Sequence, residues 1–157
     1  MINDLSFDLQ SGRFNYRVGA IIIHDGKLLV ARTSSAYYYA VGGRVTLHES
    51  AEQAIVREVF EETGITLAVE RLAFVDEAFF TREETGERFH ELGFYFIMKP
   101  NAALQAIADG QPLGDSATDC FAWLPLANLA EFELYPHFFR TRLQGLNYGI
   151  EHIVEHG

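Results

Sequence analysis

Cysteine and basic residues are scarce in this chain, and long apolar runs are missing. Cys120 is the only cysteine among 157 residues, so no disulfide can form within the chain, and its setting in DCFAWLP indicates a buried strand thiol. No apolar run approaches the ~20 residues that cross a bilayer. The first residues, MINDLSFDLQ, lack the basic start and apolar core of a signal peptide. We therefore expect a cytoplasmic protein without a membrane segment.

The charge balance disfavours a protein that binds long nucleic acid. Lys and Arg number 12 against 22 Asp and Glu, which gives a formal net charge of −10. Proteins that bind the phosphate backbone need many basic side chains to displace its counterions. Small phosphorylated molecules remain possible partners, because a bound metal can neutralise phosphate charge where basic residues are few.

Length and composition indicate one soluble globular domain over residues 1–157. Hydrophobic residues make up 48% of the chain and charged residues 22%, which is ordinary for a domain of this size. We find no internal repeat and no linker that would divide the chain. Apolar positions could serve a core or an interface alike, so the oligomeric state is not readable.

The order of predicted elements favours an α/β (α+β) fold with a mixed β-sheet in an α/β/α sandwich. Residues 13–24 and 27–32 are typical of strands, and Asp25-Gly26 between them predicts a hairpin. Residues 67–81 and 88–99 predict a second pair of strands around Gly86. Further on, residues 118–124 predict a short strand and residues 136–143 a helix.

Capping residues predict a helix over residues 51–63. Ser50 is a good N-cap, Gln53 completes a capping box, and Gly64 suits the position that ends a helix. The apolar side is expected to consist of Ile55, Val56, Val59 and Phe60. Before this helix, a short strand at residues 40–41 leads into Gly42-Gly43, which permit backbone geometry that other residues resist.

Three glutamates occupy an unfavourable place in this helix. Glu58, Glu61 and Glu62 lie in its last two turns, where the negative end of the helix dipole favours cations. Glu58 and Glu62 also form a like-charge pair four residues apart, which costs about 0.2–0.5 kcal/mol. A bound divalent cation would remove both penalties.

Residues 43–65, GRVTLHESAEQAIVREVFEETGI, carry these glutamates within a longer pattern of fixed spacing. The pattern G-x5-E-x7-REV-x-EE-x-GI resembles the Nudix box of the Nudix hydrolase family at every fixed position. The box covers only this segment, but the order of strands and helices around it is also similar to the family's layout. The resemblance thus implies a Nudix-like α/β/α sandwich.

The resemblance also implies the residues of a metal site. Glu58, Glu61 and Glu62 match the metal-binding glutamates of the family, and the carbonyl of Gly42 matches a backbone ligand. The expected ion is Mg²⁺, for which Mn²⁺ can substitute. A further ligand from outside the helix is expected at Glu91, with Glu77 as the other candidate, although both also fit an exposed strand position.

The implied reaction is hydrolysis of the diphosphate linkage in a nucleoside diphosphate derivative, either a nucleoside triphosphate or a nucleotide sugar. Water is expected to attack phosphorus, and Glu58 or a later glutamate is expected to remove its proton. Arg57 belongs to the same catalytic set, where we expect it to pair with Glu49 or to orient a carboxylate. Gly43, Glu49 and Gly64 are expected to support the site.

Two further questions stay open at this level. Tyr39 is the candidate for contact with substrate among three consecutive tyrosines, since an aromatic face can stack on a nucleobase, although core packing explains most of them. The alternative function is a catalytically weak module that senses a nucleotide without hydrolysing it. A purely structural acidic domain is the third possibility, and it would bind neither metal nor nucleotide.

Overall fold

The computed structural model describes residues 3–146 and 148–157. Its strands, in chain order, are β1 (Ser6–Leu9), β2 (Gly12–Ile21), β3 (Ile23–His24), β4 (Lys27–Arg32), β5 (Tyr38–Arg44), β6 (Val69–Thr81), β7 (Arg88–Met98), β8 (Cys120–Pro125), β9 (Leu134–Tyr135) and β10 (Glu151–His156). The α-helices are α1 (Ala51–Thr63) and α2 (Phe139–Arg142), and 3-10 turns lie at Ala102–Ala106 and Leu126–Glu131. In these described residues no helix is both long and apolar enough to span a membrane.

The strands form one mixed sheet between two helical layers. Its order is β10-β6-β7-β2-β5-β4-β3, with β1 added to β2, β8 to β4 and β9 to β5. The pairs β10–β6, β2–β7 and β5–β9 are parallel. Tyr95 and Phe96, adjacent in β7, belong to different cores, one packed by α2 and the other by α1. The predicted fold class is therefore confirmed.

Helix α1 begins and ends at the predicted residues. The Ser50 hydroxyl accepts a hydrogen bond from the Gln53 amide at 3.1 Å, and the Gln53 side chain accepts one from the Ser50 amide at 3.0 Å. Gly64 ends the helix with a φ of 75°, a left-handed conformation that glycine adopts without strain. Phe60 is 52% exposed, so its predicted place in the core is wrong. Phe60 follows the buried Val59 by one residue, which is a rotation of ~100° around the helix axis. Its side chain therefore points away from the sheet.

Two other predictions differ from the structure. The second helix spans only Phe139–Arg142, because the chain from Pro136 first forms turns with bonds three residues apart, such as that from the Phe139 amide to the Pro136 carbonyl. Its apolar residues Phe138 and Leu143 are nevertheless buried. Cys120 is a free thiol with intermediate exposure instead of a buried one.

Strand β10 (Glu151–His156) is not among the strands predicted from the sequence. It pairs in parallel with β6, with His152 opposite Val75 and His156 opposite Phe79. On one face the His152 Nε2 atom lies 2.7 Å from a Glu77 carboxylate oxygen, and His156 stacks on Phe79 with ring centroids 5.2 Å apart. The sequence EHIVEH carries a weak strand pattern, and its partner strand is distant along the chain.

Two carboxyl groups, Asp76 of β6 and Glu155 of β10, lie near each other on the other face. Asp76 is only 3% exposed, and its Oδ1 atom is buried without a hydrogen-bond partner. Burial raises the pKa of Asp76 to about 8, and a hydrogen bond with Glu155 and the charges of Glu155, Glu91 and Glu77 act in the same direction. A hydrogen bond between two carboxyl groups requires a proton on one of them.

The carboxyl pair predicts a loss of stability as the pH rises. An unfolded aspartate ionises near its ordinary pKa of 3.8, whereas folded Asp76 keeps its proton up to about pH 8. The free energy of unfolding should thus fall across this window, by at most about 1.4 kcal/mol per pH unit for one proton, and level off above it. Asp76→Asn keeps a donor for Glu155 without this titration. Urea unfolding between about pH 5 and 9 should give a steeper decline for the wild type, and equal slopes would contradict the prediction.

Candidate active site

Helix α1 lies against β5, and the two glycines of β5 make room for its carboxylates. A methyl group built on Gly43 would overlap the carboxylate of Glu58, and one built on Gly42 would overlap the Val18 carbonyl of β2. Neither glycine has a positive φ, so the expectation of unusual backbone geometry is wrong. Both are extended strand residues, and the absence of a side chain matters because of space. Gly43 therefore sets the position that Glu58 occupies.

Strand β5 directs alternate backbone groups toward the helix. Gly42 and Arg44 pair with Gly19 and Arg17 of β2, while the Val45 amide donates to the Tyr16 carbonyl at 3.0 Å. In an antiparallel ladder, alternation then turns the backbone groups of Gly42 and Arg44 away from β2. The Arg44 carbonyl accepts a hydrogen bond from Arg57 of α1 at 2.9 Å. The Gly42 backbone therefore also faces away from β2, and its carbonyl as a ligand stays a prediction.

Arg57 ties the loop before α1 to the helix, as its predicted pairing with Glu49 requires. Its Nε and Nη2 atoms donate to the two Glu49 carboxylate oxygens at 2.7 and 3.0 Å. Glu49 also accepts from the amide and hydroxyl of Thr46, both at 3.0 Å. The hydrogen bonds from Arg57, above all, lower the pKa of Glu49 to about 2. This bidentate pair fixes the chain segment that joins β5 to α1.

The same guanidinium also holds two of the helix carboxylates. Its Nη1 atom donates to Glu58 at 2.8 Å and to Glu61 at 3.2 Å. The Glu58 side chain is 16% exposed and the Glu61 side chain 54%. Burial raises the pKa of Glu58, and the hydrogen bond and charge of Arg57 oppose that rise. The contacts of Arg57 are thus those of a residue that orients other groups of the site.

Glu62 is the least satisfied carboxylate of the three. Its Oε2 atom is buried and has no hydrogen-bond partner. Burial, followed by the charge of Glu58, raises the pKa of Glu62 to about 8. The charge of Arg17 and a hydrogen bond with the Gly42 backbone oppose this rise. A buried anion without full compensation is expensive, and a bound cation would satisfy it.

The carboxylates of α1 do not converge on one point. Within residues 3–146 and 148–157, no three His, Cys, Asp or Glu side chains are gathered closely enough to hold a metal ion. Repulsion among the glutamates and their hydrogen bonds to Arg57 account for this spread. Their oxygen atoms are nevertheless the donors that Mg²⁺ and Mn²⁺ prefer. The donor set therefore fits a divalent cation, and its binding would require side chain movement.

The two candidates outside the box have other partners. The buried Asn15 donates to Glu91 at 2.7 Å, and Glu77 contacts His152 in β10. Glu91 lies four residues before Tyr95, on the sheet face that α2 covers. Neither contact involves a residue of the box, so the further ligand stays a prediction.

Tyr39 lies near Glu62 of α1 and belongs to a group of tyrosine side chains. The Tyr39 hydroxyl donates to Asp119 at 2.9 Å, and burial, followed by this bond, raises the pKa of Tyr39, to which the charge of Glu62 also contributes. Tyr37 and Tyr135 are more exposed, at 39% and 41%, and their rings meet edge to face at 5.5 Å. Sequence reasoning missed the contacts of Asp119 with Tyr39 and of Tyr135 with Tyr37, since both join segments that are distant along the chain.

Residues 107–119 form a loop against the end of α1, which we call the site loop. The Gly114 amide donates to the Glu62 carbonyl at 3.0 Å. Trp123 of β8 anchors the loop: its indole donates to the Ile107 carbonyl at 2.8 Å, and its amide donates to Asp109 at 2.7 Å. The loop therefore connects β8 with the part of the helix that carries Glu62.

Comparison with known protein families gives an extended match. The sequence model of the NUDIX domain matches residues 13–141, which is most of the chain. A MutT-like protein from Streptomyces ambofaciens is 38% identical over 58 residues, which cover 36% of this chain and 38% of the relative. The chain is thus matched to well under half of the length of that curated relative.

Several solved structures share the fold. The solution structure of the E. coli ORF135 protein has a TM-score of 0.53 and 26% identity, covering 85% of this chain and 89% of that chain. A MutT protein from Methanosarcina mazei Go1 has a TM-score of 0.57 and 23% identity, covering 85% and 91%. An ADP-ribose pyrophosphatase from Streptococcus suis 89-1591 has a TM-score of 0.54 and 14% identity, covering 88% and 98%. The mixed sheet and its helix thus have the architecture of these proteins.

Proposed function

This chain belongs to the NUDIX domain family, and we propose that it is a pyrophosphohydrolase that splits the diphosphate linkage of a nucleoside diphosphate derivative. Residues 1–157 form a single domain in this proposal. The substrate is a nucleoside triphosphate or a nucleotide sugar, two classes that share a diphosphate joined to a nucleoside. Relatives described as MutT proteins and as an ADP-ribose pyrophosphatase support the general reaction.

The observation that carries the proposal is the buried Glu62 carboxylate, with one oxygen unpartnered, on the same helix side as Glu58. A structural helix gains nothing from this arrangement, because it combines desolvation with repulsion. Glu58, Glu61, Glu62 and the Gly42 carbonyl are the groups that would hold Mg²⁺ or Mn²⁺. Such an ion supplies charge neutralisation at the phosphates and makes an attacking water more acidic.

The side chains around the metal-binding groups have separate roles in the reaction. Glu58, or a later glutamate, accepts the proton of the water whose oxygen attacks phosphorus, while the bridging P–O bond breaks and its electrons leave with the departing phosphate. Arg57 keeps Glu58 and Glu61 in orientation through its Nη1 atom, and Glu49 holds Arg57 in place. Tyr39 offers an aromatic surface beside Glu62 on which a base can stack.

A panel of nucleotides tests the function directly. Nucleoside triphosphates, deoxynucleoside triphosphates and nucleotide sugars would be incubated with the protein and Mg²⁺ or Mn²⁺, and phosphate would be measured after coupling to a phosphatase. We expect metal-dependent release from at least one class, abolished by a chelator. Nucleotide binding without any release would contradict hydrolysis and would support the nucleotide-sensing alternative.

A further inference from the structure

Two arginines stand directly opposite each other beside the site. Arg17 of β2 and Arg44 of β5 are register partners in the antiparallel ladder, at a position where the strands exchange no hydrogen bonds. Side chains at such a position lie on the same face with Cβ atoms about 4.5–5.5 Å apart, and like charges placed there repel. The pair therefore disfavours the ligand-free fold unless another group neutralises it.

The surrounding side chains neutralise this pair only weakly. Among the described residues, Arg44 forms a salt bridge with Asp4 alone: the Oδ2 atom lies 3.8 Å from Nη1, and both side chains are about one third exposed, at 36% and 34%. The Nε atom of Arg44 is buried without an acceptor. In the part of the chain that the structure describes, the Arg17 guanidinium has no hydrogen bond or salt bridge and acts only through its charge, on Glu62 and the Tyr95 hydroxyl. Two guanidinium groups thus retain donors for an anion.

Their location connects them to the carboxylates of α1. Arg17 is close enough to Glu62 to lower its pKa, and the Arg44 carbonyl is bonded to Arg57. Gly42 lies two residues before Arg44 on the same strand, and its backbone interacts with Glu62. An anion held by Arg17 would therefore lie within range of the charge of Glu62.

We propose that Arg17 and Arg44 form a phosphate-binding pair for the substrate diphosphate. Guanidinium groups match phosphate oxygens through paired hydrogen bonds, and a phosphate between them would remove the repulsion that the ladder imposes. The site needs local positive charge to bind a phosphate, because the chain carries a net charge of −10 and the glutamates of α1 repel an anionic substrate. The assignment rests on the proposed hydrolysis and names the residues that receive the phosphate in that same site.

A structural role and a phosphate-binding role predict opposite effects on stability. If the pair is structural, Arg17→Gln should lower the melting temperature, as Arg44→Gln should if Arg44 serves mainly to pair with Asp4. If the pair serves phosphate, Arg17→Gln should leave the ligand-free protein as stable as the wild type or more stable, because a repulsion is removed. Arg17→Lys keeps the charge without the planar fork, so it should restore affinity only in part.

Inorganic pyrophosphate with Mg²⁺ is the probe, measured by calorimetry on the full chain. We expect Arg17→Gln and Arg44→Gln each to weaken pyrophosphate binding about 10- to 100-fold, and to raise the KM of any substrate more than they lower kcat. Arg13→Gln is the matched control on the same strand, because Arg13 already pairs with Asp8 at 2.9 Å. The control should bind pyrophosphate like the wild type.

Two results would overturn the assignment: wild-type protein that does not bind pyrophosphate, or Arg17→Gln and Arg44→Gln variants with unchanged affinity, whatever their melting temperatures. Binding also separates this inference from the proposed function. A wild type that binds pyrophosphate through both arginines but hydrolyses no nucleotide would refute hydrolysis and support the phosphate pair. Hydrolysis by variants with undiminished affinity would refute the pair alone.

Discussion

Replacement of Glu62 by glutamine is expected to reduce turnover about 10³-fold, equivalent to about 4 kcal/mol of transition-state stabilisation, without unfolding the protein. Glutamine keeps the shape of the side chain but cannot act as an anionic ligand. The metal-free variant should be at least as stable as the wild type, because the substitution removes a buried carboxylate that Glu58 repels. At about pH 8 we expect a melting temperature about 2–4 °C higher, as about 1 kcal/mol would produce.

The expected increase in the melting temperature of the variant follows from the titration of Glu62. Its folded pKa of about 8 lies above the ordinary glutamate value of 4.5, so the metal-free protein loses stability as the pH rises from about 4.5 to 8. The variant should escape that loss and should also lose the stabilisation that Mg²⁺ gives to the wild type. Glu52→Gln, in the exposed first turn of the same helix, is the control. Full activity in Glu62→Gln, or an unchanged response to Mg²⁺, would refute the role of this carboxylate.

Alanine at Gly43 is expected to lower activity about 100-fold with little change in the melting temperature. Its methyl group would overlap the Glu58 carboxylate, which is the far end of a flexible side chain and can move aside at small cost to the fold. A displacement of about 1 Å in a reacting group is enough for a loss of this size. Steady-state kinetics and thermal unfolding on the same sample measure the two effects.

Gly42→Ala provides the contrasting control. There the methyl group would meet the Val18 carbonyl and the Gly19 Cα atom, which are backbone atoms that cannot yield without moving β2. We expect a destabilisation of about 1–3 kcal/mol, as for other overpacked positions. If Gly43→Ala proved the more unstable of the two and kept its activity, the neighbouring glycines would have been assigned the wrong roles.

Local signals explain what the sequence predicted well. The bounds of α1 follow from Ser50, Gln53 and Gly64, which act within one helical turn of the residues that they cap. The pairing of Arg57 with Glu49 follows from the fixed spacing of the box. These relations need no knowledge of the rest of the fold, and they include the residues on which the proposed chemistry depends.

Features that depend on register between distant strands were not predictable from the sequence. Strand β10, the bond from Tyr39 to Asp119 and the opposition of Arg17 to Arg44 all arise from such pairing. Gly42 and Gly43 illustrate a different limit. A glycine can be required because the backbone has a positive φ or because another group packs closely against its Cα atom. The sequence alone does not distinguish these two reasons. Only the position of Glu58 shows that space is the reason at Gly43.

Trp123 gives the protein a built-in optical reporter. It is the only tryptophan of the chain, and its indole and its amide each donate a hydrogen bond to the site loop, whose Gly114 contacts the end of the helix at Glu62. Indole emission depends on the polarity and hydrogen bonding of its surroundings, so the intrinsic fluorescence of this protein originates beside the proposed catalytic groups. Changes in the loop during a reaction cycle could thus be followed in real time without attaching a dye.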